Sequence, residues 1–337
     1  MFFYCIMHIL LDIGGSGIKL AVYDSKKSSI LDSFKFSLPV DKENYNRTRE
    51  LTKKIVEAVE YIKEYYSYEE YKTVCISTGG LIQDNLIIYW GMDINICLML
   101  KELGYEVFCC HDGLAHLMGN IFEESTLKMK ENIKYPALCL GFGTGVAFCV
   151  TNENGIPVKQ CNGNDEIGSM TLSLKDNGVH GLLGYSSFKE AMKTKDFTSY
   201  NFHLKQLINN LVSVYSVKTL IISGGITNLQ YQDAYLHYMT YVYPCIKNCK
   251  NIKQQNIKIV LGNKDSSLLG AYYFSLLKKT QTFIYTYQMK NYLDVLKENN
   301  TKIKKQNKSL INENIILKTL GVLFGFGAVF YFKNVIR

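Results

Sequence analysis

A chain of 337 residues, 47% hydrophobic and with four prolines, is long enough for two lobes with separate cores and too apolar for a disordered chain. Its formal charge of +8 is unevenly spread: residues 278–308 hold eight lysines against two acids, which argues against a globular nucleic-acid-binding face. Ten cysteines, none in a C-x-x-C pair and several inside apolar runs ("VCIS", "ALCLGF", "AFCV"), read as small buried hydrophobes in a reducing compartment. Cys245 and Cys249 are spaced C-x3-C without a second ligand pair, so no zinc site is expected there.

The N-terminal "MFFYCIMHILLD" lacks a basic stretch and runs straight into a strand, unlike a signal peptide. Strands are expected at about 7–13, 17–24 and 28–37, forming a meander. The first turn, "DIGGSG", places Asp12 beside Gly14, Gly15, Ser16 and Gly17. Glycines suit a tight turn, but an acid ending a buried strand calls for a cation or for hydrogen-bond donors. Helical periodicity covers roughly 43–66, with Leu51, Ile55, Ala58, Val59 and Ile62 on one side. "YKTVCISTGG" is a buried strand entering a turn at Gly79-Gly80. A helix through "INICLMLKELG" precedes the strand "YEVFCCHD", and another helix starts at Asp112.

"YPALCLGFGTGVAFCV" repeats the opening hairpin, with Gly143-Thr144-Gly145 at its tip. "VKTLIISGGI" enters a third glycine turn at Gly224-Gly225, followed by a helix near 229–242. "NIKIVLG" and the helix "SSLLGAYYFSLL" close the globular part. Residues 279–313 then read as a polar, basic helical stalk, whose leucines and isoleucines are also loosely spaced as in a coiled coil. Residues 314–333 are apolar on all faces; as a helix, "IILKTLGVLFGFGAVFYF" spans roughly 27 Å, enough for a bilayer core. This is the expected membrane anchor, with basic residues beside it for anionic headgroups on a cytosol-facing surface.

The motifs "DIGGSGIK", "ISTGG", "HDGLAHLMGN", "LGFGTGVAF", "EIGSMTL", "IISGG" and "SSLLGAYY" occur in the order and approximate spacing of the ROK sugar kinases. The chain resembles that family over about residues 7–277, and its first motif is most like the zinc-less polyphosphate/ATP glucokinase branch. The resemblance implies an α/β, two-lobed actin-like ATPase (ribonuclease H-like) fold, extended here by the stalk and the tail helix. The N-terminal lobe would be 1–115, with the helix of 263–278 packing back on it, and the C-terminal lobe 116–262. Six residues precede the first strand, leaving no room for the DNA-binding helix-turn-helix of the family's regulators.

By the same resemblance, Asp12 faces the Mg²⁺–phosphate region, and Gly14, Gly15 and Ser16 form the first phosphate loop. Gly143, Thr144 and Gly145 form the second, and Gly224 and Gly225 the adenosine turn. Asp112 is the catalytic base, while Gly79, Gly80, His111 and Glu166 join it around the sugar. ATP and Mg²⁺ are the implied cofactors, a hexose the implied acceptor, and a homodimer is left open. The chemistry is coherent: a sugar hydroxyl needs a carboxylate to take its proton, and the phosphoryl group needs amides and Mg²⁺ around it.

Three departures stand out. His111 replaces the usual asparagine before the base, Ser169 replaces a histidine, and "DNGVHGLLGYSS" replaces the zinc-binding cysteine cluster. Zinc is therefore not expected. The departures also motivate an alternative, a catalytically inactive relative that binds nucleotide or sugar and acts as a membrane scaffold. A kinase for a non-sugar alcohol is a third reading, made less attractive by "EIGS" after the second hairpin.

Overall fold

The computed structural model describes residues 7–15, 17–37, 44–66, 73–79, 81–83, 86–89, 92–94, 96–127, 133–158, 178–228 and 231–280. The chain divides into two units at Lys278/Lys279, and almost everything described belongs to the first. Beyond its first two residues the expected stalk, 279–313, lies outside the described residues, as does the whole expected anchor, 314–333. Among the described residues no helix is long and apolar enough to cross a membrane.

The opening meander is β1 (Met7–Ile13), β2 (Gly17–Asp24) and β3 (Ser29–Ser37), followed by α1 (Asn44–Tyr66) and β4 (Thr73–Thr78). A small antiparallel sheet that the sequence pattern did not suggest comes next: β5 (Leu81–Gln83), β6 (Leu86–Tyr89) and β7 (Met92–Ile94). Then follow α2 (Ile96–Glu102), β8 (Glu106–His111) and α3 (Asp112–Leu127). The second half holds β9 (Ala137–Phe142), β10 (Val146–Val150), α4 (Gly178–Leu183), α5 (Tyr185–Thr194), α6 (Thr198–Tyr215) and β11 (Thr219–Gly224). It closes with a 3₁₀ turn at Gly225–Thr227, α7 (Gln232–His237), α8 (Tyr243–Lys247), α9 (Lys250–Gln254), β12 (Lys258–Leu261) and α10 (266–280).

The two sheets repeat one plan. The first runs β3-β2-β1-β4-β8 and the second β10-β9-β11-β12. In each, an antiparallel hairpin (β1–β2, β9–β10) is extended through its first strand by parallel neighbours. The first sheet is covered on both faces, which is why its strands read as unbroken apolar runs. Ile9, Leu11 and Ile13 pack with Ile55, Val59 and Ile62 of α1. Leu10, Ala21 and Cys75 face Leu268, Ala271 and Tyr272 of α10. Because side chains alternate along a strand, Asp12 falls on the α10 face with Leu10. A fully buried side chain such as Ile9 or Leu10 contributes roughly 1.5–3 kcal/mol.

Helix α3 is the joint of the molecule. It starts at the end of β8 in the first sheet, and its Leu117 packs among Ala137, Cys139, Cys149 and Ile221 of the second. It therefore runs through position 115, where the sequence suggested a lobe boundary. The helix anticipated near 229–242 starts at Gln232 and continues through a π-helical turn, Tyr238–Val242, into α8. Pro244 has no N–H to donate, and the helical ladder widens just ahead of it.

Candidate active site

Asp12, Gly79 and Asp112 lie at the carboxyl ends of β1, β4 and β8, neighbouring parallel strands whose last residues include the pair Thr78 and His111. In open α/β sheets this edge is where ligands bind. Asp12 and His111 sit on strands separated by β4, about 10 Å apart by strand spacing.

Each hairpin tip is closed by its own backbone. Gly14 donates its N–H to Gly17 O at 2.9 Å, and Gly143 donates to Gly145 O at 2.9 Å. The tips belong to different sheets and touch: a Cβ on Gly15 would lie 2.9 Å from Thr144 Cβ, Cγ2 and Oγ1. Gly224 backs onto the second hairpin, with a φ of +100° and a Cβ position only 2.2 Å from Phe142 O. Only glycine fits there, both in conformation and in space. All three glycine turns are thus near one another, as a site for a phosphate chain bound by backbone amides requires.

Asp12 is mostly buried and held from two sides. Ser267, in the first turn of α10, donates its hydroxyl to Asp12 Oδ2 at 2.8 Å. Lys19, its cross-strand partner on β2, brings Nζ to 3.7 Å. A Mg²⁺ ion characteristically keeps several waters and takes one or two carboxylates plus substrate phosphates. A single carboxylate beside two amide-lined tips fits that role. It does not make an all-protein metal cage, and among the described residues there is no cluster of three metal-ligating side chains.

Asp112 is the first residue of α3, where the helix dipole favours a negative charge. Its Oδ2 lies against the Gly79 turn: a Cβ on Gly79 would be 3.2 Å away. Oδ1 is buried without a hydrogen-bond donor among the described residues. His111 Nδ1 is 3.2 Å from Oδ1. That nitrogen, however, accepts the Gly113 N–H, also at 3.2 Å, so it presents a lone pair and not a proton. The imidazole proton then sits on Nε2, which is buried and likewise has no partner. Adjacent residues at this sheet edge therefore carry one orphaned acceptor and one orphaned donor among the described residues. A ligand hydroxyl, which both donates and accepts, complements them.

Of the residues singled out in the sequence, Asp12, Gly14, Gly15, Gly79, His111, Asp112, Gly143, Thr144 and Gly145 fall at this sheet edge or at the touching tips, and Gly224 and Gly225 at the end of β11 against Phe142. Ser16, Gly80 and Glu166 lie outside the described residues, as does Ser169, whereas "DNGVHGLLGYSS" is described from Gly178 onward, in α4 and the start of α5. The sequence reading missed Lys19, His116, Ser223, Ser266 and Ser267. Two had signals: Lys19 follows from the hairpin register opposite Asp12, and His116 from its i+4 spacing after Asp112 on α3. The serines come from elements remote in sequence. Burial holds the His116 imidazole below its ordinary pKa, with Asp12 and Asp112 pulling the other way.

No protein-family model and no curated protein matches the chain. Solved structures do, among them sugar kinases and a transcriptional regulator of the ROK family. The inorganic polyphosphate/ATP-glucomannokinase from Arthrobacter sp. strain KM aligns at a TM-score of 0.58 and 18% identity, over 81% of this chain and 99% of its own. A ROK glucokinase from Streptomyces griseus, in complex with glucose and AMPPNP, aligns at 0.57 and 16% identity over 79% and 97%. A ROK transcriptional regulator, a homologue of the E. coli MLC protein, aligns at 0.59 and 12% identity over 80% and 77%. At these identities the likeness establishes the fold alone: this chain has the two-sheet α/β fold of these ROK proteins and sugar kinases.

Proposed function

We propose that the chain is a ROK-type sugar kinase that transfers the γ-phosphoryl group of ATP to a hexose hydroxyl, glucokinase-like in its acceptor. What carries this reading is the coincidence of an orphaned carboxylate oxygen on Asp112 with two glycine hairpins meeting tip to tip beside the same sheet edge. In this reading Asp112 Oδ1 accepts the proton of the attacking hydroxyl, and His111 Nε2–H donates to a sugar oxygen. The two tips hold the phosphates through the amides of Gly15, Thr144 and Gly145, while the N–H groups of Gly14 and Gly143 close the turns, and Gly224-Gly225 lets the adenosine approach closely. Mg²⁺, when bound beside Asp12, supplies charge neutralisation across the phosphates. Ser16, Gly80 and Glu166 join this site on resemblance alone.

A second reading, a nucleotide- or sugar-binding protein without turnover, is favoured by one observation. His111 offers Asp112 no proton, since its Nδ1 accepts the Gly113 N–H 3.2 Å away, where an asparagine amide would offer a donor and an acceptor together. One assay decides between the two readings. The full chain is given Mg²⁺-ATP with a panel of hexoses and amino sugars, and ADP release is followed beside Asp112→Asn. Sugar-dependent release abolished by the substitution supports the kinase; nucleotide binding without release on any sugar supports the second reading.

The membrane tether belongs to the same proposal and rests on composition: residues 315–332 contain a single charged side chain, Lys318. The full chain should float with liposomes and a chain ending at residue 313 should not. Equal partitioning would remove the anchor.

A further inference from the structure

Helices α3 and α10 cross with their backbones in contact. A Cβ on Gly119 would lie 1.9 Å from Ser266 O, and one on Gly270 would lie 1.7 Å from Ala115 O. At this crossing a single imidazole nitrogen gathers three elements. His116 Nδ1 on α3 is 2.9 Å from Ser266 Oγ on α10 and 3.1 Å from Ser223 Oγ on β11. The two hydroxyls are themselves 2.9 Å apart, which closes the triangle. Gly141 of β9 leaves room for the ring, since a Cβ there would stand 2.8 Å from His116 Cδ2. One turn on, Asn120 donates to His116 O at 2.7 Å and accepts the Asn263 N–H at 2.8 Å, so the same helix also holds the loop that leads into α10.

Each member of the triangle stands beside a residue of the candidate site. Asp112 is one turn before His116 on α3. Gly224 follows Ser223 directly. Ser267 follows Ser266 and donates to Asp12 Oδ2. Both triangle serines are fully buried, and buried hydroxyls are tolerated where they have partners. An apolar side chain could fill this space, but it would exert no directional hold on three separate elements. Directed, mutually satisfied polar contacts in a core specify one arrangement among alternatives.

We propose that His116 is a positioning residue that sets the register between the Asp112 helix, the Gly224-Gly225 turn and the Asp12 carboxylate, and so the affinity for the Mg²⁺–nucleotide. The inference rests on the kinase reading of the nucleotide site. A hexose lying against His111 and Asp112 should feel it less than the nucleotide does.

The test measures Mg²⁺–AMPPNP affinity by calorimetry, together with kcat and hexose KM, on the full chain. It compares His116→Ala, His116→Asn and the pair Ser223→Ala/Ser266→Ala. We expect His116→Ala and the serine pair to weaken Mg²⁺–AMPPNP about tenfold, as loss of one or two buried hydrogen bonds implies, with hexose KM within twofold. His116→Asn, whose Oδ1 stands close to the former Nδ1 position, should recover most of the affinity. Nucleotide affinity within twofold of wild type in both His116→Ala and the serine pair, whatever the loss of Tm, overturns the proposal. If His116→Ala does not fold, the serine pair decides, since each change removes one oxygen. A wild-type chain that binds no Mg²⁺–AMPPNP brings down this inference and the nucleotide site together. An Asp112→Asn chain that still turns over removes only the base assignment.

Discussion

Gly15 and Thr144, from hairpins on different sheets, meet so closely that no side-chain carbon fits between them: a Cβ on Gly15 would lie 2.9 Å from three Thr144 atoms. This contact brings the tips of the two sheets together. Gly15→Ala should therefore part the hairpins and weaken Mg²⁺–AMPPNP at least tenfold, while Tm moves little, because Thr144 is exposed and can shift. Gly15→Ala/Thr144→Gly should restore binding. Equal weakening in the single and double variants would mean that the touch between the tips does not govern the nucleotide.

Asp112 supplies the acceptor for the hydroxyl proton in the proposed reaction. Asp112→Asn keeps the size of the side chain and its place at the helix start, but removes the basic oxygen. Sugar-dependent turnover should fall by about 10²–10⁴-fold with nucleotide affinity retained. A drop of less than tenfold would move the base elsewhere.

In the proposed reading His111 would offer the sugar a donor on Nε2, its Nδ1 lone pair being committed to the Gly113 N–H. His111→Asn offers a donor and an acceptor on one amide in place of the imidazole beside Asp112. Hexose KM should fall severalfold, with nucleotide KM unchanged. A rise in hexose KM would instead show that this cleft has been rebuilt around an imidazole.

The second core carries two phenols that set an alkaline limit on stability. Burial raises the pKa of Tyr200 and Tyr238 well above the ordinary tyrosine value of 10.0. A raised folded pKa means that the unfolded chain releases the proton first. The contribution is therefore complete below about pH 10 and is lost as pH climbs above it, by about 1.4 kcal/mol per unit for each fully buried phenol. Urea midpoints at pH 9 and 11 should show the fall. Tyr238→Phe should make it shallower. The Tyr238 hydroxyl is also buried without a partner among the described residues, so the same substitution should leave stability at pH 7 unchanged or higher. A loss of more than about 1 kcal/mol at pH 7 would show that the hydroxyl is satisfied in solution.

Local pattern was enough to find most of the elements and the glycine turns. The three strands of the meander begin and end within a residue of expectation, and α1 begins one residue late, because period-2 and period-3.6 hydrophobicity are carried by neighbours along the chain. The third strand starts at Ser29 because Ser28, with a φ of 50°, still belongs to the turn. The short sheet β5–β7 escaped notice, since strands of three and four residues are too brief to display a period. Asp12 and Asp112 stood out because each ends a strand beside a turn or a helix start. What could not be read along the chain is who touches whom across it. That Gly15 meets Thr144, that Ser267 orients Asp12, and that His116 gathers Ser223 and Ser266 all depend on bringing two sheets onto one pair of crossing helices. Contacts of that kind have no sequence period. They arise when apolar faces are buried against one another and the polar groups carried along must find partners in whatever arrangement results.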